Sequence, residues 1–178
     1  LKEVSSIDAI VIATTINAMD NVLVELANLL GVDIYRGSEL DVMGRVEEAA
    51  KAFSADVVCE VTGDCPIIDC ELVEQVIQTY LRNNVTYVNN GLNGLPDGMG
   101  AQVFSYNALK RSAEMTKNLL DREHVTLHIR RNPDLFPAIY LVAPSSLHWP
   151  ELGVTLDEES DYQLLKKIIE ALTPIKPF

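Results

Sequence analysis

Positive charge is scarce in this sequence. Its 178 residues carry 14 Lys and Arg against 26 Asp and Glu, a net charge of -12. A protein that neutralises a run of phosphates needs a basic surface, so general nucleic-acid binding is not expected. Long apolar runs are also missing. Runs such as Ala9 to Ala13 are far short of the roughly 20 residues a membrane span needs, so no membrane partner is expected. Cysteine is limited to Cys59, Cys65 and Cys70. An odd number at spacings of six and five fits neither a paired disulfide framework nor a C-x2-C zinc pattern. The three read as reduced thiols. Leu1-Lys2-Glu3-Val4 leads with charge and has no h-region, so no secretory leader is expected and the location is expected to be cytoplasmic. A small acidic chain can still bind a phosphate ligand when a metal ion cancels the charge.

What is present is an alternation of short apolar runs and longer amphipathic ones. Ile7–Thr14 reads as a buried strand, followed by a helix over Asn21–Leu30 that Gly31 stops. Val32–Tyr35 is a short strand, 41–53 a helix and 56–62 a buried strand. Asp69 can cap a helix over Glu71–Arg82. Thr86–Val88 is extended, 89–100 is a Gly- and Asn-rich loop, and Ala101–Phe104 is a strand. Helices are expected over 107–117 and 121–130, a strand over 138–142, and a closing helix over 160–172. Strands separated by helices predict a three-layer α/β sandwich with a mainly parallel sheet. In such sheets ligands bind at the carboxyl ends of strands.

Two segments place an aspartate there. In Val61-Thr62-Gly63-Asp64-Cys65-Pro66, a strand runs into Gly63, which permits close backbone approach, and presents Asp64. In Val154-Thr155-Leu156-Asp157-Glu158-Glu159-Ser160-Asp161, Asp157 follows a second apolar run. A carboxylate so placed can hold Mg²⁺, which keeps one or two carboxylates together with phosphates and water. Taken singly, Asp64 also reads as an Asx turn and Asp157 as part of a helix N-cap. Taken together, a metal between them offsets their repulsion and neutralises a bound triphosphate.

The order YRGSELDVMGR, VTGDCPIID, PDG, VFSYNAL, DREHVT and VTLDEESDY resembles the cytidylyltransferase-like proteins of spore coat polysaccharide biosynthesis. These are relatives of the 3-deoxy-manno-octulosonate and acylneuraminate cytidylyltransferases. The resemblance runs over the whole chain. It implies a nucleotide-diphospho-sugar transferase (Rossmann-like) fold as one domain over 1–178, with a mixed, mainly parallel sheet. It implies that CTP is joined to a sugar acid, giving a CMP-sugar and pyrophosphate in surface polysaccharide biosynthesis, and that the protein is a homodimer.

By the same resemblance Asp64 and Asp157 hold the metal, and Arg45 lies near the nucleotide or the sugar acid. The residues alone equally allow Arg45 to pair with Glu48 on a solvated helix face. Thr14, Thr15 and Asn17 are implied near the base or ribose, with Gly63 beside the nucleotide. Asp97, Gly98, Gln102, Arg122 and His124 are implied to face the acceptor sugar. His124 and His128 form an H-x-x-x-H pair without an acidic partner, which does not predict zinc.

The sequence also departs from the family. Relatives carry an acidic pair where this chain has Gly100 and Gln102, and Cys65 stands where some carry Glu. The family's N-terminal strand and its loop of the kind R-x-G-S-x-R-L-P-G-K are not among these residues. A protein truly without that loop is expected to be inactive. The alternative reading is a non-catalytic nucleotide-sugar-binding or dimerising relative. A glycosyltransferase on the same fold is disfavoured, because no D-x-D pair is present.

Overall fold

The computed structural model describes residues 1–173. Among the described residues six strands and seven α-helices follow one another: β1 (Val11–Thr15), α1 (Asn21–Leu30), β2 (Asp33–Gly37), α2 (Val42–Ala52), β3 (Val57–Glu60), α3 (Cys70–Arg82), β4 (Tyr87–Asn89), β5 (Gln102–Ser105), α4 (Tyr106–Met115), α5 (Leu119–Glu123), α6 (Leu127–Arg131), β6 (Ala138–Tyr140) and α7 (Glu159–Leu172). The class is α/β, as the alternation predicts. The strands group as a parallel pair, β1-β2, and a four-stranded sheet of order β3-β5-β4-β6. Thr15 lies opposite Gly37 at the carboxyl end of the pair.

Helix boundaries follow local chemistry. Asp69 caps α3 by accepting from the Glu71 and Leu72 amides. Asp41 caps α2 by accepting from Gly44 N, and Ser105 caps α4 by accepting from Ala108 N. Gly31, at φ +63°, ends α1 in the left-handed conformation that glycine adopts without steric cost. The expected helix over 121–130 is instead two short ones, α5 and α6. The break falls at His124-Val125-Thr126, where Val125 and Thr126 are buried. β-Branched side chains in succession lose rotamer freedom in a helix, and burying both turns the chain.

The chain divides into two compact units. The first comprises 1–58, 84–87 and 104–138. Its core is Met43, Tyr87, Phe104, Leu109, Val125, Ile129 and Phe136. His128 belongs to this packing. Its Nδ1 is 3.0 Å from Ser112 Oγ and its ring meets Phe136 edge-on. The second unit comprises 59–83, 88–103 and the chain from Ile139. There α3 buries Leu72, Val73, Val76 and Ile77, and Leu72 packs with Leu95 and Ala143. No helix among the described residues is long and apolar enough to cross a membrane.

Candidate active site

In the second unit, one segment, 152–156, gathers two distant parts of the chain. Leu156 N donates to the carbonyl of Asp64 at 2.8 Å, so the turn after β3 sits beside the residue preceding Asp157. Asp97 N donates to Leu152 O at 2.9 Å, and Val154 N returns a bond to Asp97 O at 2.8 Å. Asp97 and Gly153 thereby form a parallel bridge. Gly98 lies flat on this segment at φ +93°, and a Cβ there would stand 2.9 Å from Thr155 N and from Val154 C. Asp64, Asp97 and Asp157 thus share one edge of the unit.

Both readings that competed for the aspartates can be checked. The N-terminus of α7 is capped by Glu158 and Asp161. Asp161 Oδ2 accepts from Asp157 N at 3.1 Å and from Glu158 N at 2.8 Å. The Asp157 carboxylate therefore takes no part in the cap. Asp64 engages the fold through its backbone carbonyl, and among the described residues its carboxylate receives only the Cys65 thiol at 3.5 Å. Among the described residues the ion pairs are Arg122–Asp41 and Arg131–Asp121, and neither uses Asp64 or Asp157. No group of three or more metal-ligating side chains is present among the described residues. Two carboxylates not engaged by cap or cation are the hard oxygen donors that Mg²⁺ takes, so the residues fit that ion.

Burial disfavours the thiolate form of Cys59 and Cys65. Burial pushes the Cys65 thiol up. The Thr62 hydrogen bond opposes this, and the charges of Asp64 and Asp97 add to it. Burial, with Glu60 beside it, pushes Cys59 up to about 12. Gln102 Nε2 donates to Glu60 Oε2 at 3.0 Å, so the amide that replaces the family's acid is tied to a neighbouring carboxylate. At Gly63 an added Cβ would meet nothing within 4 Å. Gly63→Ala is therefore expected to leave the melting temperature unchanged, which a thermal melt checks.

The other sequence-predicted residues lie in the first unit. Thr14 and Thr15 end β1, and their hydroxyls donate to Asp20 Oδ2 at 2.7 and 2.5 Å. Asn17 Nδ2 donates to Glu39 Oε2 at 2.9 Å. Arg36 fastens the turn from β2, its Nε donating to Thr15 O and its Nη2 to Asn17 O at 2.8 and 2.7 Å. Arg45 does not pair with Glu48, which instead accepts from the Tyr35 hydroxyl. Its Nη1 donates to Ser38 O at 2.6 Å, and its Nε is buried without a described partner.

Arg122 is held by protein. It pairs with Asp41 and donates to Ala113 O, which joins the DREHVT motif to the capping residue of DVMGR. Burial works to raise the Asp41 carboxyl, but Arg122 and the Gly44 amide outweigh it and hold the group below its ordinary value. His124 ends α5 on the surface. Asp20, Arg36 and Glu39 escaped the sequence reading. The only signal was an Asp five residues after Thr15, just ahead of a helix.

A family model described as cytidylyltransferase matches residues 1–170. An uncharacterised protein of Methanocaldococcus jannaschii is 39% identical over 92% of this chain and 67% of its own length. The spore coat polysaccharide biosynthesis protein SpsF of Bacillus subtilis is 32% identical over 92% of this chain and 68% of its own. Among solved structures, a cytidylyltransferase from Leptospira borgpetersenii superposes with a TM-score of 0.84 at 27% identity, over 90% of this chain and 68% of that one. A CMP:2-keto-3-deoxy-manno-octonic acid synthetase complexed with CTP superposes at 0.62 over 98% of this chain and 84% of that one. At 11% identity that likeness speaks to the fold.

Proposed function

The chain belongs to the cytidylyltransferase family, and on that premise we propose that it activates a sugar acid with CTP, giving a CMP-sugar and pyrophosphate for surface polysaccharide synthesis. The observation that carries this reading is the Leu156–Asp64 hydrogen bond, which brings the segments bearing Asp64 and Asp157 together. Mg²⁺ would be held by these two carboxylates, where it neutralises the triphosphate. The acceptor oxygen forms its bond to the α-phosphorus as the bond to the pyrophosphate oxygen breaks, so no protein nucleophile is needed. The protein's contribution is positioning and charge.

Gly63 lets the nucleotide approach the backbone. The buried, unpartnered Nε of Arg45 supports a polar ligand beside it. Asp97, Gly98 and Gln102, all in the second unit, belong to the acceptor side. The protein acts as a homodimer in the cytoplasm.

The test is pyrophosphate release from CTP with Mg²⁺ across a panel of sugar acids, with ATP, GTP and UTP as controls. Release confined to CTP and one acceptor class is the expected result. Selective CTP binding with no turnover on any acceptor points to the non-catalytic relative. Binding of none of the four nucleotides overturns the proposal.

A further inference from the structure

Two runs of the sequence, the 14 residues from Asn83 to Pro96 and the 16 from Leu135 to Pro150, contain no Asp, Glu, Lys or Arg. In a chain that is 22% charged, several charges would be expected there. The fold joins the two runs in the second unit. Ala143 N donates to Asn93 O at 2.9 Å and Trp149 N to Gly94 O at 2.8 Å. Asn93 Nδ2 donates to Leu141 O at 3.3 Å, and Leu147 N closes a turn on Pro144 O at 2.8 Å. The His148 ring occupies the place that a Cβ on Gly94 would fill.

Apolar side chains stand uncovered on this braced frame. Val142 is 72% exposed, and Trp149, the only tryptophan of the chain, is 63% exposed. Leu92, Tyr140 and Leu147, each at or next to a braced position, are exposed as well. Aromatic side chains on a fixed backbone lose little entropy when they are covered, and they are the usual anchors of protein interfaces. The adjoining strand β6 ends the described sheet order. Ala138 to Ala143 offers neither a charge nor a proline to guard that edge.

We propose that this face, with Val142 and Trp149 at its centre, is where a second copy of the chain docks about a two-fold axis. The inference rests on the homodimer reading above and says where the contact lies. Charge selects the occupant. A chain of net charge -12 repels its own copies, and carboxylates trapped between them would have to be desolvated. An uncharged apolar face lets two acidic copies meet without that cost, and a two-fold axis sets the same patch against itself. Val22 and Leu29 on α1 form a rival exposed surface in the first unit. Glu25 lies between them at helical spacing, so copies meeting there would set carboxylate against carboxylate.

The experiment follows the full chain through a dilution series by sedimentation equilibrium and by Trp149 fluorescence. A dimer is expected. Over the concentration range in which it forms, emission should move to shorter wavelength and iodide quenching should fall, because docking removes water from the indole. Val142→Glu sets a carboxylate in the centre of the face. It should leave the circular dichroism unchanged, raise the dimer dissociation constant by about a hundredfold or more, and keep Trp149 open to iodide. Trp149→Ala, read by sedimentation alone, should weaken the dimer by about tenfold or more. Leu29→Glu should change neither readout. A dimer whose Trp149 stays open to iodide overturns the inference and leaves the homodimer reading standing. So does a dimer that Leu29→Glu separates while Val142→Glu and Trp149→Ala do not. A chain that is monomeric at every concentration overturns both, and the cytidylyltransferase reading is untouched.

Discussion

Asp64→Asn is expected to lower CTP-dependent pyrophosphate release by about a hundred- to a thousandfold, the usual cost of removing one preorganised charge-stabilising group. The same loss is expected for Asp157→Asn. Each replacement keeps the shape of the side chain and removes the negative oxygen donor. Neither should disturb the fold. Asp64 holds the 152–156 segment through its backbone carbonyl, which asparagine retains. The α7 cap is made by Glu158 and Asp161, not by the Asp157 carboxylate. Melting temperatures should therefore stay near wild type, as for surface substitutions that break no buried contact, within about 0.5 kcal/mol. If both aspartates serve one ion, the double variant should be scarcely worse than either single one. Rates near wild type for both variants would remove these residues from the chemistry. Wild-type rates for one alone would leave a single-carboxylate site.

Gly98→Ala should damage both the fold and the site. At φ +93° an alanine is strained, and its Cβ would meet Thr155 N and Val154 C at 2.9 Å. These are backbone atoms, so no side chain can rotate away. Strain of this kind together with overpacking amounts to about 2–4 kcal/mol. The displaced segment is the one that carries Asp157 and binds the Asp64 carbonyl, so CTP turnover should fall as well. Gly31→Ala is the comparison. Gly31 also has positive φ, +63°, but a Cβ there meets nothing within 4 Å. Its cost should be only the backbone preference, about 1–2 kcal/mol, with turnover intact. Urea unfolding of both variants beside the rate assay separates the two effects. Equal destabilisation would mean that the close approach at Gly98 is unimportant.

Much of the secondary structure was legible because its signals are local. The Asp69 cap lies two and three residues from the amides it accepts, and Gly31 directly follows the last apolar position of α1. Asp64 was legible in a similar way, four residues past β3, whereas the apolar run before Asp157 forms only a single bridge at Gly153 and no strand. The family could be read from motif order, which needs no coordinates.

Contacts across the chain were not legible. Nothing in the sequence around Arg122 announces its pairing with Asp41, 81 residues away. The Asp97 loop meets the 152–156 segment through a bridge that no periodicity announces. Asp20 is only five residues from Thr15, but the chain must turn back on itself before its carboxylate reaches both hydroxyls. Composition, periodicity and capping chemistry thus determined the α/β class, most helix boundaries and the candidate aspartates, because each depends on neighbours within a few positions. Tertiary structure alone decided which polar groups are already taken and which remain for a ligand. A hydrogen bond needs its partners within about 3 Å, and only the folded path of the chain sets that distance.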